Sequence, residues 1–253
     1  MDLAFGDLTA TDYAILACAV LIGGFVKGVV GLGLPMIAIP IISTVIDPRS
    51  AIAVMTLPIL GSNFLQARSG GKLIETTLRF RGFLVPMTLG AIVGAAIITR
   101  VHVAHAELIL GTLVATFAAT TLLGWQPVLS ARHDRRLRPA VGAISGVIGG
   151  MSSFFAPTVT PYLFSLGLDR NTFIRAMGVA FLIGEFPLML GLIAAGFAPL
   201  PVWVLSAAGW ALVAAAMHLG AKLRDRVPQK GFKTIVGVTL LVVGLNMIRR
   251  ALF

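Results

Sequence analysis

Two ionisable side chains, Lys27 and Glu185, lie inside otherwise apolar stretches of the chain. A lysine at the centre of a membrane helix costs roughly 2.5 to 3.5 kcal/mol to insert, so such charges usually serve a function or are paired. Lys27 could supply the positive charge for a bound anion; alternatively it snorkels to an interface or pairs with Glu185. Glu185 could carry a proton, because desolvation favours the neutral carboxyl; alternatively it neutralises Lys27 or Arg175. Asn63 matches Glu185 in the repeat described below and could face the same site.

Glycine-rich segments surround Lys27 and recur later in the chain. The first is GFVKGVVGLGLP, Gly24–Pro35, and the second is GAISGVIGGMSSFFAP, Gly142–Pro157. A helix broken there would expose backbone amides and a positive dipole end, which suits an anion. The second copy adds hydroxyl donors at Ser152, Ser153, Thr158 and Thr160. For Gly24 and Gly28 close helix packing is the equal alternative, whereas Gly31, Gly33 and Pro35 favour a break.

The two segments belong to an internal repeat. Gly24, Gly28 and Gly31 recur 118 residues later, as Gly142, Gly146 and Gly149. After a short insertion the offset becomes 122, and it relates Asp47, Met55, Asn63 and Phe64 to Asp169, Met177, Glu185 and Phe186. We interpret residues 1–125 as a first transmembrane repeat, 126–138 as a basic cytoplasmic linker and 139–253 as a second transmembrane repeat.

The elements that carry these residues are membrane helices. Hydrophobic residues make up 57% of the chain and charged residues only 12%, against about 25% charged in soluble domains. Because a spanning helix needs about 20 apolar residues, the pattern predicts an all-α polytopic protein with about eight segments. Residues 13–46 and 139–168 are too long for one straight crossing, so we predict two short helices in each; one long kinked helix is the alternative. Residues 1–12 contain no basic side chain, so we expect no signal peptide.

Loop charges predict the topology. The basic loops are residues 68–81, 132–138 and 222–233. If the first segment of each half returns to its own side, all three lie in the cytoplasm, as the positive-inside rule requires. Each half then crosses an odd number of times, which gives the inverted repeats found in many secondary transporters. Arg249 and Arg250 would then lie outside, against the rule.

These paired segments, each followed by a helix that begins at an Asp, resemble the TauE/SafE family of sulfite exporters over about residues 13–248. The resemblance implies a duplicated membrane transporter of sulfite, organosulfonates or related small anions, generally moved outward. The first copy reads GLGLP rather than the GxGGG-like run of many members. Carried over residue by residue, the resemblance assigns the site to Gly28, Gly31, Gly33, Pro35, Gly146, Gly149, Gly150, Ser152 and Ser153.

We therefore expect a secondary transporter of small anions in the bacterial inner membrane, exporting by alternating access with proton coupling through Glu185. The alternative is a passive anion channel or an uptake permease. The expected partners are a small anion, protons and lipid, with a homo-oligomer left open. The sequence contains no nucleophile elbow, phosphate loop or HExxH pattern and a single cysteine, so we expect no enzyme, cofactor or metal site. The basic residues lie in short loops between apolar spans, as in membrane proteins, so we expect no nucleic-acid partner.

Overall fold

The computed structural model describes residues 8–68, 71–124, 134–223 and 229–252. This part of the chain is all α-helix, as predicted, with ten helices and no strand. The helices are α1 Ala10–Val30, α2 Leu34–Ile42, α3 Pro48–Arg68, α4 Leu73–Arg100, α5 Val103–Leu122, α6 Asp134–Ser152, α7 Ala156–Ser165, α8 Arg170–Ala194, α9 Leu200–Leu223 and α10 Gln229–Leu252. Within the described ranges six of them, α1, α3, α4, α5, α8 and α9, are long and apolar enough to cross a membrane.

The helix that follows each short helix begins at the Asp that the sequence predicts. Asp169 accepts hydrogen bonds from the backbone N–H groups of Asn171 and Thr172, at 3.1 and 3.0 Å. Hydrogen bonds from the side chain and backbone of Thr172 hold the pKa of the Asp169 carboxyl below its ordinary value of 3.8. The residue therefore stays charged at the helix N-terminus, where the helix dipole stabilises a negative charge.

The equivalent residue, Asp47, starts α3 and anchors a buried arginine. Its Oδ2 atom lies 2.7 Å from Arg49 Nη2. Arg49 Nη1 donates to the carbonyl oxygen of Val101 at 3.1 Å, and the guanidinium lies 4.5 Å from the centre of the Phe197 ring. The start of α3 is thus held against the α4–α5 and α8–α9 connections at one end of the bundle.

Glycines bring two pairs of helices into close parallel contact, α1 with α9 and α6 with α4. A Cβ atom at any of four glycines would meet the backbone of the partner helix. The contacts join Gly24 to Val213, Gly28 to Met217, Gly142 to Phe83 and Gly146 to Met87. The glycines of α6 lie 118 residues after those of α1, and their partners in α4 lie 130 residues before the partners in α9. The α1–α9 contact and the α6–α4 contact therefore join equivalent positions of the two halves.

The remaining long helices pack in the same paired way. Helix α3 contacts α8 and α9, α8 also contacts α4, and α5 contacts α10. The contacts are the same when each helix is replaced by its counterpart in the other half. The α3–α9 contact then corresponds to the α8–α4 contact, and the α3–α8 and α5–α10 contacts each correspond to themselves. Gly178 of α8 packs on Ala67 of α3, so α3 ends and α8 begins at the same end of the bundle, together with the start of α4 and the end of α9. We call it the basic-loop end, and the end that holds Arg49 the opposite end.

Two boundary predictions differ from the structure. We predicted two short helices in each long first segment, but α1 has 21 residues and α6 has 19, so only α2 and α7 are short. Helix α6 also begins at Asp134, inside the predicted linker 126–138, and contains Pro139. A proline removes one backbone hydrogen bond. Because Pro139 lies near the start of α6, this loss does not end the helix. Residues 126–133 of the linker lie outside the described residues.

Candidate functional site

Each short helix follows a break in the backbone. Helix α1 ends at Gly31, with φ of 88°, and α2 begins after Gly33, with φ of 104°. Side chains disfavour this left-handed region, so glycine suits both positions. Helix α6 ends before Ser153, which adopts φ of 63° although it is not a glycine. The two breaks therefore use the same backbone conformation with different residues.

Both breaks line one cavity in the middle of the bundle. Its volume is about 20 Å³, which is room for roughly one water molecule. Leu32 and Gly33 of the first break and Ser153 to Ala156 of the second form part of its wall. Lys27, Asn63 and Glu185 complete its polar lining. The structure thus brings together residues that are far apart in the sequence.

Lys27 is buried and held by helix α3. Its Nζ atom donates hydrogen bonds to Ser62 Oγ at 2.9 Å and to Asn63 Oδ1. Only 5% of the residue is exposed, so it does not snorkel to a membrane interface. Within the described ranges it forms no ion pair with Glu185, although both face the same cavity. The ammonium group therefore donates its hydrogen bonds to neutral acceptors, and the charge of Glu185 acts on it from across the cavity.

Glu185 is equally buried and is held by the second break. Its Oε2 atom accepts a hydrogen bond from Ser153 Oγ at 2.7 Å. Its Oε1 atom is buried and has no hydrogen-bond partner in the described part of the chain. A buried carboxyl oxygen without a partner is costly, so this atom is well placed to bind a proton or a polar ligand that enters the cavity.

The two short helices direct their N-termini at this cavity. Neither Gly33, the N-cap of α2, nor Phe155, the N-cap of α7, provides a side-chain hydrogen bond to the first turn. The first N–H groups of a helix have no partner within the helix and carry the positive end of its dipole. The cavity therefore receives positive potential from Lys27 and from two helix ends.

A second, larger cavity of about 680 Å³ opens beside the first, and we call it the vestibule. Lys27 and Leu32 line both cavities. The vestibule lies between the ends of α1, α3 and α9 and the beginning of α8, which places it towards the basic-loop end. Its other lining residues are Gly28, Val29, Val30, Gly31, Ser62, Leu65, Gln66, Phe173, Ile174, Met177, Ala214, Met217, His218 and Ala221.

The sequence comparison identifies the family. The model for the sulfite exporter TauE/SafE family matches residues 15–247, nearly the whole chain. The chain belongs to the TauE/SafE family. No curated protein and no solved structure matches the chain.

This TauE/SafE family member places eight of the thirteen predicted site residues at the two cavities. Those lining the small cavity are Lys27, Gly33, Pro35, Asn63, Ser153 and Glu185. Gly28 and Gly31 line the vestibule. The family is one of transporters, and this arrangement of charges around a buried cavity is suited to binding an ion.

The other predicted residues lie against protein in this structure. A Cβ atom at Gly146 or Gly150 would meet the backbone of α4, and one at Gly149 would meet the Phe155 ring. Ser152 Oγ donates to the Ile148 carbonyl at 2.7 Å, and Thr158 Oγ1 donates to the Phe155 carbonyl at 3.2 Å. These glycines pack helices, and the two hydroxyls satisfy their own backbone.

Sequence reasoning missed several residues of the candidate site, of which Ser62 and Phe155 matter most for its geometry. Ser62 binds Lys27, and its position next to Asn63 was the available signal. Phe155 lines the cavity and fills a space between Gly149 and Gly184. An aromatic residue in a membrane protein gives no such signal, because apolar side chains are expected throughout.

Proposed function

We propose that this protein is a secondary transporter that exports sulfite, an organosulfonate or a related small sulfur or carboxylated anion by alternating access with proton coupling. The observation that carries the proposal is that Lys27, Glu185 and both helix breaks line a single buried cavity. Helix breaks in a membrane are tolerated where they are enclosed by protein or line a watery cavity, and transporters use them to bind ions.

Anion binding would use the ammonium group of Lys27, which now donates hydrogen bonds to neutral side chains. Lys27 donates to Ser62 and Asn63, and an anion can replace these acceptors without leaving a buried donor unpaired. The first-turn amides of α2 and α7 would donate to further oxygen atoms of the anion. A cavity of about 20 Å³ is too small for sulfite, so Lys27 would turn towards the vestibule as the anion enters.

Alternating access would follow from an inverted repeat. The equivalent glycine contacts of α1 with α9 and of α6 with α4 support a pseudo-twofold relation between the halves. Adding α6 and α10 to the six apolar helices gives eight spans. Helices α2 and α7 would then return the chain to the side from which α1 and α6 enter, so the net crossing number of each half stays odd. The basic-loop end would lie in the cytoplasm, in accordance with the positive-inside rule, with the protein in the inner membrane.

Proton coupling would reside at Glu185. Its Oε1 atom can accept a proton without losing a hydrogen bond, because the described residues give it no partner, while Ser153 continues to hold Oε2. Protonation would remove the negative charge that repels an anion from the same cavity. Release of the proton to one side would then be linked to release of the anion.

Flux into proteoliposomes tests the proposal. Purified protein should move sulfite or an organosulfonate faster than protein-free liposomes. Lys27→Ala should reduce this flux about tenfold or more, because a hydrogen bond to a charged group is worth about 1.5–3 kcal/mol. The control is Lys72→Ala, which removes an exposed lysine. Undiminished flux in Lys27→Ala would contradict the anion site.

A pH gradient separates the proton role from the anion role. Flux should respond to the gradient in the wild type and lose that response in Glu185→Gln, while Glu75→Gln, at an exposed position, should behave as wild type. Flux that ignores pH throughout would contradict coupling. Counterflow distinguishes the alternative, because a passive channel shows no stimulation by substrate on the far side.

A further inference from the structure

The vestibule has an equivalent in the second half of the chain that is closed. The vestibule is lined near Lys27 by Gly31, Ser62 and Met217. Each has an equivalent in the other half of the chain. Gly149 lies 118 residues after Gly31, Gly184 lies 122 residues after Ser62, and Met87 lies 130 residues before Met217. They lie between α6, α8 and α4, as the vestibule lies between α1, α3 and α9.

The ring of Phe155 occupies this equivalent position. A Cβ atom at Gly149 would collide with the ring, and one at Gly184 would lie 2.6 Å from its Cε1 atom and 3.0 Å from Met87 Cε. Side chains at these two positions are therefore excluded by the ring. Met87 is fully buried, whereas Met217 is partly exposed. The Phe155 ring thus fills, in the second half of the chain, the space that forms the vestibule in the first half.

The backbone around Phe155 is held by the site itself. Ser153 adopts its left-handed conformation while its Oγ donates to Glu185. The Phe155 ring also stacks near Phe181, with 6.4 Å between the ring centres. A change at Glu185 can therefore be transmitted to Phe155 through two residues of backbone.

We propose that Phe155 plugs a second vestibule, lined by Gly149, Gly184 and Met87, through which the anion passes to the opposite end. This inference rests on the proposed alternating access and adds the residue that controls one exit. In the present state the anion site communicates with the basic-loop end. Withdrawal of the ring would open the equivalent route and would let the two glycines form its wall.

Cysteine labelling tests the plug. The chain has one cysteine, Cys18, so Cys18→Ser gives a cysteine-free background. The reporters are Met217→Cys in the vestibule and Met87→Cys in the closed equivalent. A membrane-impermeant methanethiosulfonate is added to one face of the vesicles at a time. Met217→Cys should react from one face, and Met87→Cys should react slowly from both.

Phe155→Ala should make Met87→Cys react at least about tenfold faster, and only from the face opposite to the one that reaches Met217→Cys. A gain of this size is expected when a state populated at about 10% or less becomes a major one. The control is Phe80→Ala, at a buried phenylalanine of α4 that lines neither cavity; it should leave the labelling of Met87→Cys unchanged. Unchanged labelling of Met87→Cys, or labelling from the same face as Met217→Cys, would overturn the proposal.

Two further variants keep the test decisive if Phe155→Ala does not fold. Phe155→Leu removes the ring and keeps much of the volume, and Gly184→Ala displaces the ring from the other side; both should raise labelling of Met87→Cys. Retained labelling of Met217→Cys reports that the fold is intact. Labelling needs no transported anion, so increased labelling without flux contradicts only the proposed function. Flux that depends on Lys27, together with unchanged labelling, contradicts only the plug.

Discussion

Ser153 shows how the second break differs from the first at the scale of a single residue. Of the described residues other than glycine, only Ser153 has a positive φ. Left-handed backbone costs an L-residue about 1–2 kcal/mol, so a glycine would be the cheaper choice, as at Gly31. The hydrogen bond from Ser153 to the buried Glu185 offsets that cost.

Substitution at Ser153 should separate the two effects. Ser153→Ala loses the hydrogen bond and keeps the strain, whereas Ser153→Gly loses the bond and relieves the strain. Both should be less stable than wild type, and Ser153→Ala should be the less stable of the two by about 1 kcal/mol. Thermal unfolding in detergent measures the order. Ser153→Ala with wild-type stability would show that the hydrogen bond does not matter, and equal stability of the two variants would show that the strain does not matter.

The polar residues of the site could be predicted, whereas their partners could not. Lys27, Asn63 and Glu185 were identified because a charge or an amide is costly among apolar residues. Which acceptor Lys27 would choose depended on how α1 rotates against α3, and no sequence pattern fixes that rotation. Among the described residues Lys27 and Glu185 form no direct ion pair with each other or with Arg175, although the charges of Lys27 and Glu185 interact across the cavity.

At the scale of helices, the glycines of the repeat divide into two groups with different roles. Gly31 and Gly33 have positive φ and end or begin a helix. Gly28 and Gly146 are helical and face the backbone of a neighbouring helix. The sequence left packing and anion binding open for Gly28, and spacing alone could not decide, because both roles require a residue without a side chain.

A Cβ atom at Gly28 or Gly146 should separate a helix pair. Gly28→Ala would collide with the Met217 carbonyl of α9, and Gly146→Ala with the Met87 carbonyl of α4. Each should lower stability by about 1–3 kcal/mol, as overpacked positions do, and to a similar extent. Gly209→Ala, whose added Cβ atom would lie 3.4 Å from Pro58 Cγ, should be tolerated. Thermal unfolding checks this, and a stable Gly146→Ala would contradict the equivalence.

At the scale of the whole molecule, the structure shows why an arginine lies at the end of α10 opposite the basic loops. Arg249 and Arg250 contradicted the positive-inside rule in the sequence, because they lie in the last turn of α10, at the end opposite the basic loops. Arg250 pairs with Glu107 at 3.1 Å and donates to the carbonyls of Ser43 and Thr44, both at 3.3 Å. Positive charge at the C-terminal end of α2 is favourable. The residue thus joins α10, α5 and α2.

The general architecture followed from the sequence, but the closed half did not. Composition and the repeat predicted membrane helices and two matched breaks. The offset of 130 residues between α4 and α9 could not be read from the sequence. It became visible only from the residues of these two helices that contact the glycines of α6 and α1. The difference between the halves, open beside Gly31 and closed beside Gly149, depends on where one aromatic ring packs.

Equilibrium binding of a small anion to the purified protein tests the central claim, that the two breaks and Lys27 form one anion site. Calorimetric titration with sulfite and simple organosulfonates should give one binding event per chain for at least one of them. Lys27→Ala should weaken it about tenfold or more, by the loss of a charge-assisted contact, while Lys72→Ala should leave it unchanged. Equal affinity of the wild type and Lys27→Ala for that anion would contradict the account.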